Sequence, residues 1–183
     1  MIEEIQIGTQ IWMSKNLDVT HYKNGDVILE VTDAKKWGDI IGGAYCHYNN
    51  DPSNNAVYGK LYNANAVIDD RGLAPDGWHI PTIEEWALLE NYLGKLNAGS
   101  DLKSIVGWAD NGNGKNRFGF NAVPAGCRDA WGEFSEYTYA SYWWSYTTSL
   151  TGIFYQYITY DLNILQQWND DGRAGFSVRC IKD

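Results

Sequence analysis

The chain of 183 residues carries 14 Lys and Arg against 23 Asp and Glu, a net charge of −9, and 44% of it is hydrophobic, enough for a sizeable core. A field of that sign repels phosphate backbones and anionic lipid heads, which argues against a nucleic-acid partner. No apolar run approaches the roughly 20 residues that cross a bilayer, so no membrane insertion is expected, and no stretch is Pro-rich, Ser-rich or repetitive enough to link two domains. One domain over residues 1–183 is the expectation.

Ile5 to Trp12 reads as a strand broken by a tight turn at Gly8-Thr9, with Ile5, Ile7 and Ile11 available to one face. From Asn24-Gly25 to Gly43 polar and apolar residues mix without a period, which predicts loops joined by a short strand over Val27 to Val31. Leu61, Ala64 and Val67 recur at helical spacing and predict a first helix over Tyr58 to Val67, although Asn63 and Asn65 weaken its propensity. The second helix is better specified. Pro81 keeps it from starting early, Thr82 is the N-cap, Glu85 completes a capping box, and Gly94 ends it. Trp86, Leu89 and Leu93 form the stripe that should cover a sheet.

Asp110-Asn111-Gly112-Asn113-Gly114-Lys115-Asn116 is too dense in turn formers for regular structure. Strands are then predicted at Phe118 to Val123, Tyr137 to Tyr146, Ile153 to Tyr160 and Ile164 to Trp168. Phe176, Val178 and Cys180 alternate with Ser177 and Arg179, which predicts a last strand with one face in the core and the other outside it. Two helices ahead of a run of strands give an α+β domain with a mainly antiparallel, twisted sheet. Trp12, Trp78, Trp86 and Phe176 should be buried.

Several segments in one order carry a family likeness: Ile7-Gly8-Thr9-Gln10-Ile11-Trp12-Met13 with Lys15-Asn16-Leu17, Gly43-Ala44-Tyr45-Cys46 with Tyr48-Asn49-Asn50-Asp51, Tyr58-Gly59-Lys60-Leu61-Tyr62-Asn63, Gly77-Trp78-His79-Ile80-Pro81-Thr82, Trp143-Trp144-Ser145 and Gly175-Phe176-Ser177-Val178-Arg179-Cys180. Together they resemble the Fibrobacter succinogenes major paralogous domain, a bacterial family related to the formylglycine-generating, sulfatase-modifying enzymes. The resemblance runs from about Ile5 to Asp183 and implies a C-type-lectin-like fold of the formylglycine-generating-enzyme type. Family members commonly carry a further cysteine where this chain has Ala74, so the resemblance lends no firm support to a bridge to Cys180.

It also raises cysteine oxidation, because the enzymes of that lineage use a pair of reactive cysteines near the C-terminus. The pair is absent here. Cys127 stands alone in Pro124-Ala125-Gly126-Cys127-Arg128, and Cys180 falls in a strand predicted to be buried. Arg128 beside Cys127 is placed to lower a thiol pKa, but without a second cysteine or a base the structural reading is favoured and no catalytic residue is assigned. With Cys46 the cysteines are three, so at least one is unpaired within a monomer, and their spacing does not suit zinc.

His21, His47 and His79 are scattered, and His79 is expected to hydrogen-bond backbone within its turn. Gly112-Asn113-Gly114-Lys115 lacks the spacing and the following hydroxyl of a phosphate loop. Trp168-Asn169-Asp170 spells the tripeptide that supplies calcium and sugar ligands in many true C-type lectins, which makes Asn169, Asp170 and Asp171 weak calcium candidates. Calcium needs about six to eight oxygens, the companion tripeptide is missing, and a plain Asx turn is the favoured alternative. No cofactor is expected.

The final third of the chain points to a surface. Tyr137, Tyr139, Tyr142, Tyr146, Tyr155, Tyr157, Tyr160 and Trp168 crowd the final third, with Asn163, Gln167, Asn169 and Asp170 among them, and these are the expected ligand-binding residues. Strand alternation puts Tyr155 and Tyr157 on one face and Phe154 and Ile158 on the other. Such rings give rigid contact area with a polar handle, while Trp143-Trp144-Ser145 reads as core. The expected function is a non-catalytic ligand-binding or adhesion module that recognises a glycan or protein on a cell surface. The alternatives are a retroelement-diversified, phage-type receptor-binding protein, whose palette of Asn, Tyr, Ser, Thr and Asp this region shares, and a structural domain of a surface fibre or tail. Met1-Ile2-Glu3-Glu4 has neither the basic start nor the apolar stretch of a signal peptide, and the expected setting is a cell surface, a secreted protein or a phage particle.

Overall fold

The computed structural model describes residues 2–183. The chain opens as a hairpin of β1 (Glu4–Ile7) and β2 (Gln10–Met13), turning at Gly8 with φ +61°. The two-residue connection pairs Ile5 with Trp12 and Gln6 with Ile11. Cross-strand partners share a face, so Ile5 and Ile7 lie with Trp12, and Ile11 lies on the other side, which corrects the expected common face of the three isoleucines.

The stretch expected as loops holds β3 (Leu29–Glu30), shorter than predicted, and α1 (Ala34–Asp39), which was not anticipated. Helix α1 is too short to show a period; its sequence sign is Asp33, whose carboxylate accepts from Lys36 N at 2.8 Å, ahead of the buried Trp37. After β4 (Ala44–Cys46) the helix expected over Tyr58 to Val67 is replaced by α2 (Asn55–Tyr58), β5 (Leu61–Tyr62) and α3 (Ala64–Val67). Gly59 separates them at φ +70°, where a Cβ would lie 2.8 Å from Leu17 O, and Asn63, poor inside a helix, caps α3 by accepting from Ala66 N at 3.1 Å.

Beyond β6 (Trp78–His79), α4 (Ile83–Leu93) has the expected bounds, buried stripe and closed capping box: Glu85 N donates to Thr82 Oγ1 at 3.3 Å and Thr82 N to Glu85 Oε2 at 2.9 Å. A short α5 (Ala98–Leu102) follows. Phe118 to Val123 is not a strand; Ala122 makes one isolated bridge to Lys103, and the regular pairing comes next as β7 (Ala125–Arg128). The strand expected over Tyr137 to Tyr146 divides at Thr138, φ +67°, into β8 (Phe134–Tyr137) and β9 (Ala140–Ser149), and β10 (Gly152–Thr159), β11 (Gln166–Asp170) and β12 (Ile181–Lys182) complete the chain.

The architecture is mixed and mostly sheet, in three sheets rather than the single one expected: β1-β2-β12-β6, β11-β10-β9-β7-β8 and β3-β4-β5. Pairing is antiparallel except where β3 meets β4 and β7 meets β9. The segment expected as a half-exposed last strand joins the sheets instead. Gly175 bridges Arg128, Phe176 bridges Tyr62, Ser177 bridges Trp143, and Ile181 in β12 pairs with Trp12. Both of its sides are therefore buried, Ser177 and Arg179 included, along with the expected Trp12, Trp78, Trp86 and Phe176.

Two groups of polar residues inside this core are well bonded. Asn16 accepts at Oδ1 from Trp143 Nε1 (2.9 Å) and from Arg179 Nε (3.1 Å) and Nη2 (2.6 Å), and its Nδ2 donates to Tyr58 O (2.9 Å) and Ser177 Oγ (3.2 Å). Four separated sequence segments thus meet on one amide. The buried cations share a second pattern, being held by main-chain carbonyls. Arg179 donates to Met13 O and Phe120 O; Arg128 to Val31 O, Thr32 O and Gly132 O; Lys103 to Thr159 O, Tyr160 O and Leu162 O; and Lys60 to Asp18 O and the Asn55 side chain.

His79 does not bond backbone as expected. Its Nε2 meets Glu85 Oε1 and its Nδ1 meets Asp183 Oδ1, both at 2.8 Å, tying β6 to α4. Burial alone would lower its pKa, but the two carboxylates outweigh that and raise it. A raised folded value means stability present in full below the unfolded value of about 6.5 and lost as pH rises through the folded value. Chemical denaturation of parent and His79→Gln across that window is expected to show a decline with pH in the parent that the variant lacks; parallel profiles would remove the clamp.

Candidate functional site

The β9–β10 hairpin positions the expected site. Its register pairs Tyr155 with Trp144 and Tyr157 with Tyr142, with a bulge between Ile153 and Tyr155, and β11 adds Trp168 opposite Tyr155, Gln166 opposite Tyr157 and Asp170 opposite Ile153. One face of the sheet therefore carries Tyr142, Trp144, Tyr155, Tyr157, Gln166, Trp168 and Asp170. The other carries Trp143, Gln156 and Ile158, sealed beneath α4 in the cluster of Trp12, Trp86 and Phe120.

On the open face the rings are layered. Trp144 and Phe176 lie 4.5 Å apart by centroid as a buried floor. Above them Tyr142 stacks on Phe176 at 4.9 Å and on Tyr157 at 5.7 Å, with interplanar angles of 17° and 15°. Tyr155 stands tilted against Tyr142, Tyr157 and Phe176. These three tyrosines are half-buried, and Trp168 beside them is 66% exposed. The Tyr157 hydroxyl donates to Gln166 Oε1 at 3.0 Å, so its ring is held in place. Gln166 was not among the expected residues; its spacing of two from Trp168 was the sign that it shares the face.

Cys127 enters the same side-chain cluster from β7, its Sγ 3.3 Å from Ser135 Oγ. Burial pushes its thiol up to about 11, with Glu136, Asp129 and Asp170 adding to the shift. Arg128, the neighbour placed in sequence to lower this pKa, turns away: its guanidinium donates to main-chain carbonyls and lies over the Trp37 and Phe134 rings. The thiol is thus protonated at neutral pH, a poor nucleophile. Cys46 and Cys180 are buried and free as well.

The other expected residues do not join this face. Tyr137 stacks on Tyr48 at 5.0 Å and shares a hydroxyl contact of 3.0 Å with Tyr58. Tyr139 meets Tyr160 edge-on at 5.3 Å, and Tyr146 lines a separate recess with Trp78, His79 and Ile80. Asn163 is exposed, its carbonyl accepting from Gly99 N. Gln167 and Asn169 point to the opposite face, where Gln167 accepts from Gln156 Nε2 at 3.1 Å and Asn169 donates to Thr151 Oγ1 at 2.7 Å.

The calcium candidates diverge too. Asp170 Oδ1 accepts from Gly172 N at 2.8 Å, an Asx turn, while Asp171 pairs with Arg173 at 2.6 Å and Asn169 is across the sheet. Among the described residues no cluster of three or more His, Cys, Asp or Glu is arranged to hold a metal.

Burial raises the Asp170 carboxyl, the neighbouring Asp171 charge adds to this, and backbone donors oppose it. Tyr155 is pushed up to about 12, by burial first and then by Asp170. The arrangement offers stacking surfaces, one hydroxyl fixed by Gln166, and a carboxylate at the rim.

Against known proteins, residues 5–182 match the family described as Fibrobacter succinogenes major domain. No curated protein and no solved structure matches.

Proposed function

Because the chain belongs to the Fibrobacter succinogenes major domain family, we propose that it is a non-catalytic ligand-binding or adhesion module, of C-type-lectin-like fold, acting on a glycan or protein at a cell surface. The observation that carries this reading is Trp168, 66% exposed on a regular strand beside three half-open tyrosines, of which Tyr142 and Tyr155 rest on the buried Trp144 and Phe176 and Tyr157 rests on Tyr142 and Tyr155. An indole left in water on a rigid sheet, with aromatic neighbours on the same face, has the composition of a recognition hot spot. Support for the fold name is the closure of the first hairpin by β12, with the binding face in a separate strand-rich half. The high pKa of the Cys127 thiol favours packing over catalysis in this reading.

Trp168 contributes nothing to the buried clusters, so Trp168→Ala is expected to leave the melting temperature within a degree or two and to weaken binding by about tenfold or more. The measurement is a glycan and surface-protein array followed by titration of whatever is retained. A ligand held equally by the parent, Trp168→Ala and Tyr157→Ala would move the site off this face.

A further inference from the structure

The carbonyl-held cations alter the charge the protein shows. Lys60, Lys103, Arg128 and Arg179 are buried, whereas Asp101 is the acidic side chain buried among the described residues. The exposed surface is therefore more acidic than the net charge of −9 indicates. At the aromatic face the imbalance is local. Asp170 closes the β11 side, half-buried, and no Lys, Arg or His pairs with it among the described residues. The nearby Arg173 is spent on Asp171. Exposed Glu136 borders the β8 side, its charge acting on the Tyr142 hydroxyl as that of Asp170 acts on Tyr155.

We propose that this face takes a cationic side chain, the ammonium or guanidinium of a basic protein segment, seated on the Tyr155, Tyr157 and Trp168 rings and paired with Asp170. This deepens the binding-face reading and rests on it. Ring faces carry negative potential and attract a cation held near them, most strongly where water is thinned, and a half-buried carboxylate bonded to backbone N–H but paired with no cation is the complement of a charged donor. The acidic surface then raises the encounter rate for such a segment, while the carboxylate selects against an acidic one.

The test uses the whole chain and a peptide alternating Arg and Gly, a peptide alternating Glu and Gly, and neutral β-linked gluco-oligosaccharides, titrated by calorimetry at low and high salt. Asp170→Asn keeps the acceptor for Gly172 N and so preserves the turn, while Glu84→Gln removes an exposed charge from α4, on the far side of the sheet. The expected result is binding of the Arg peptide alone, weakened about tenfold or more by Asp170→Asn or Trp168→Ala and unchanged by Glu84→Gln. Equal weakening by Asp170→Asn and Glu84→Gln would reduce the effect to diffuse attraction and overturn the site. Oligosaccharide binding that Trp168→Ala abolishes and Asp170→Asn spares would overturn the cation and leave the binding face standing. Retention of no probe would count against both.

Discussion

Asn16→Ala is expected to destabilise the protein by about 3–5 kcal/mol, among the largest effects of any single substitution that removes so few atoms. The side chain is buried and serves Trp143, Arg179, Tyr58 and Ser177 at once. Its loss leaves the Trp143 indole N–H and the Tyr58 carbonyl without partners, each costing about 1–3 kcal/mol, and strips Arg179 of its side-chain acceptor. The guanidinium keeps Met13 O and Phe120 O and its place over the Phe120 ring, 4.4 Å away, which limits the damage. Urea denaturation should show a lower midpoint at unchanged slope. Arg179→Met tests the coupling, since two residues sharing bonds lose less together than the sum of their separate losses. Additive losses would mean that Asn16 is not the junction.

Lys103→Met should cost about 2–4 kcal/mol, by a different balance. Methionine has similar length, and removing a buried charge recovers desolvation energy. Three carbonyls of Thr159, Tyr160 and Leu162 lose their donor in the same step, and the burial that lowers the Lys103 pKa also keeps water from replacing it. The orphaned acceptors outweigh the recovered charge. Because all three lie where β10 ends and turns toward β11, hydrogen exchange should accelerate at residues 159–163 ahead of the rest of the sheet. Protection unchanged there, with a global loss alone, would make Lys103 a packing residue only.

Sequence legibility followed the range of the interactions. Helix α4 was readable to the residue because its signals, Pro81, Thr82, Glu85 and Gly94, are local. Tyr58 to Val67 misled because Leu61, Ala64 and Val67 imitate a helical period, while the deciding contact, Gly59 against Leu17 and Asn16, is distant in sequence. Phe176 to Cys180 alternates as a surface strand does, yet Ser177 and Arg179 are buried, since partners for them exist on Asn16, on Met13 of β2 and on Tyr142 and Trp144 of β9. The aromatic face was legible as a composition and not as a set. Parity within β10 unites Tyr155 with Tyr157, and parity within β11 unites Trp168 with Asp170 and sends Gln167 and Asn169 to the other side, whereas the register that joins the two strands and the packing of Tyr137 on Tyr48 are invisible in one sequence.

Strand β12 lies between β2 and β6 and runs parallel to β1 on the other side of β2, with Lys182 Nζ reaching Glu4 Oε2 at 2.7 Å, so both ends of the fold belong to the four-stranded sheet. The rings of Tyr155, Tyr157 and Trp168 belong to a different sheet. Tension applied through both ends would load β1, β2 and β12 in shear, along the strands, and leave the aromatic face off the load path as a pendant.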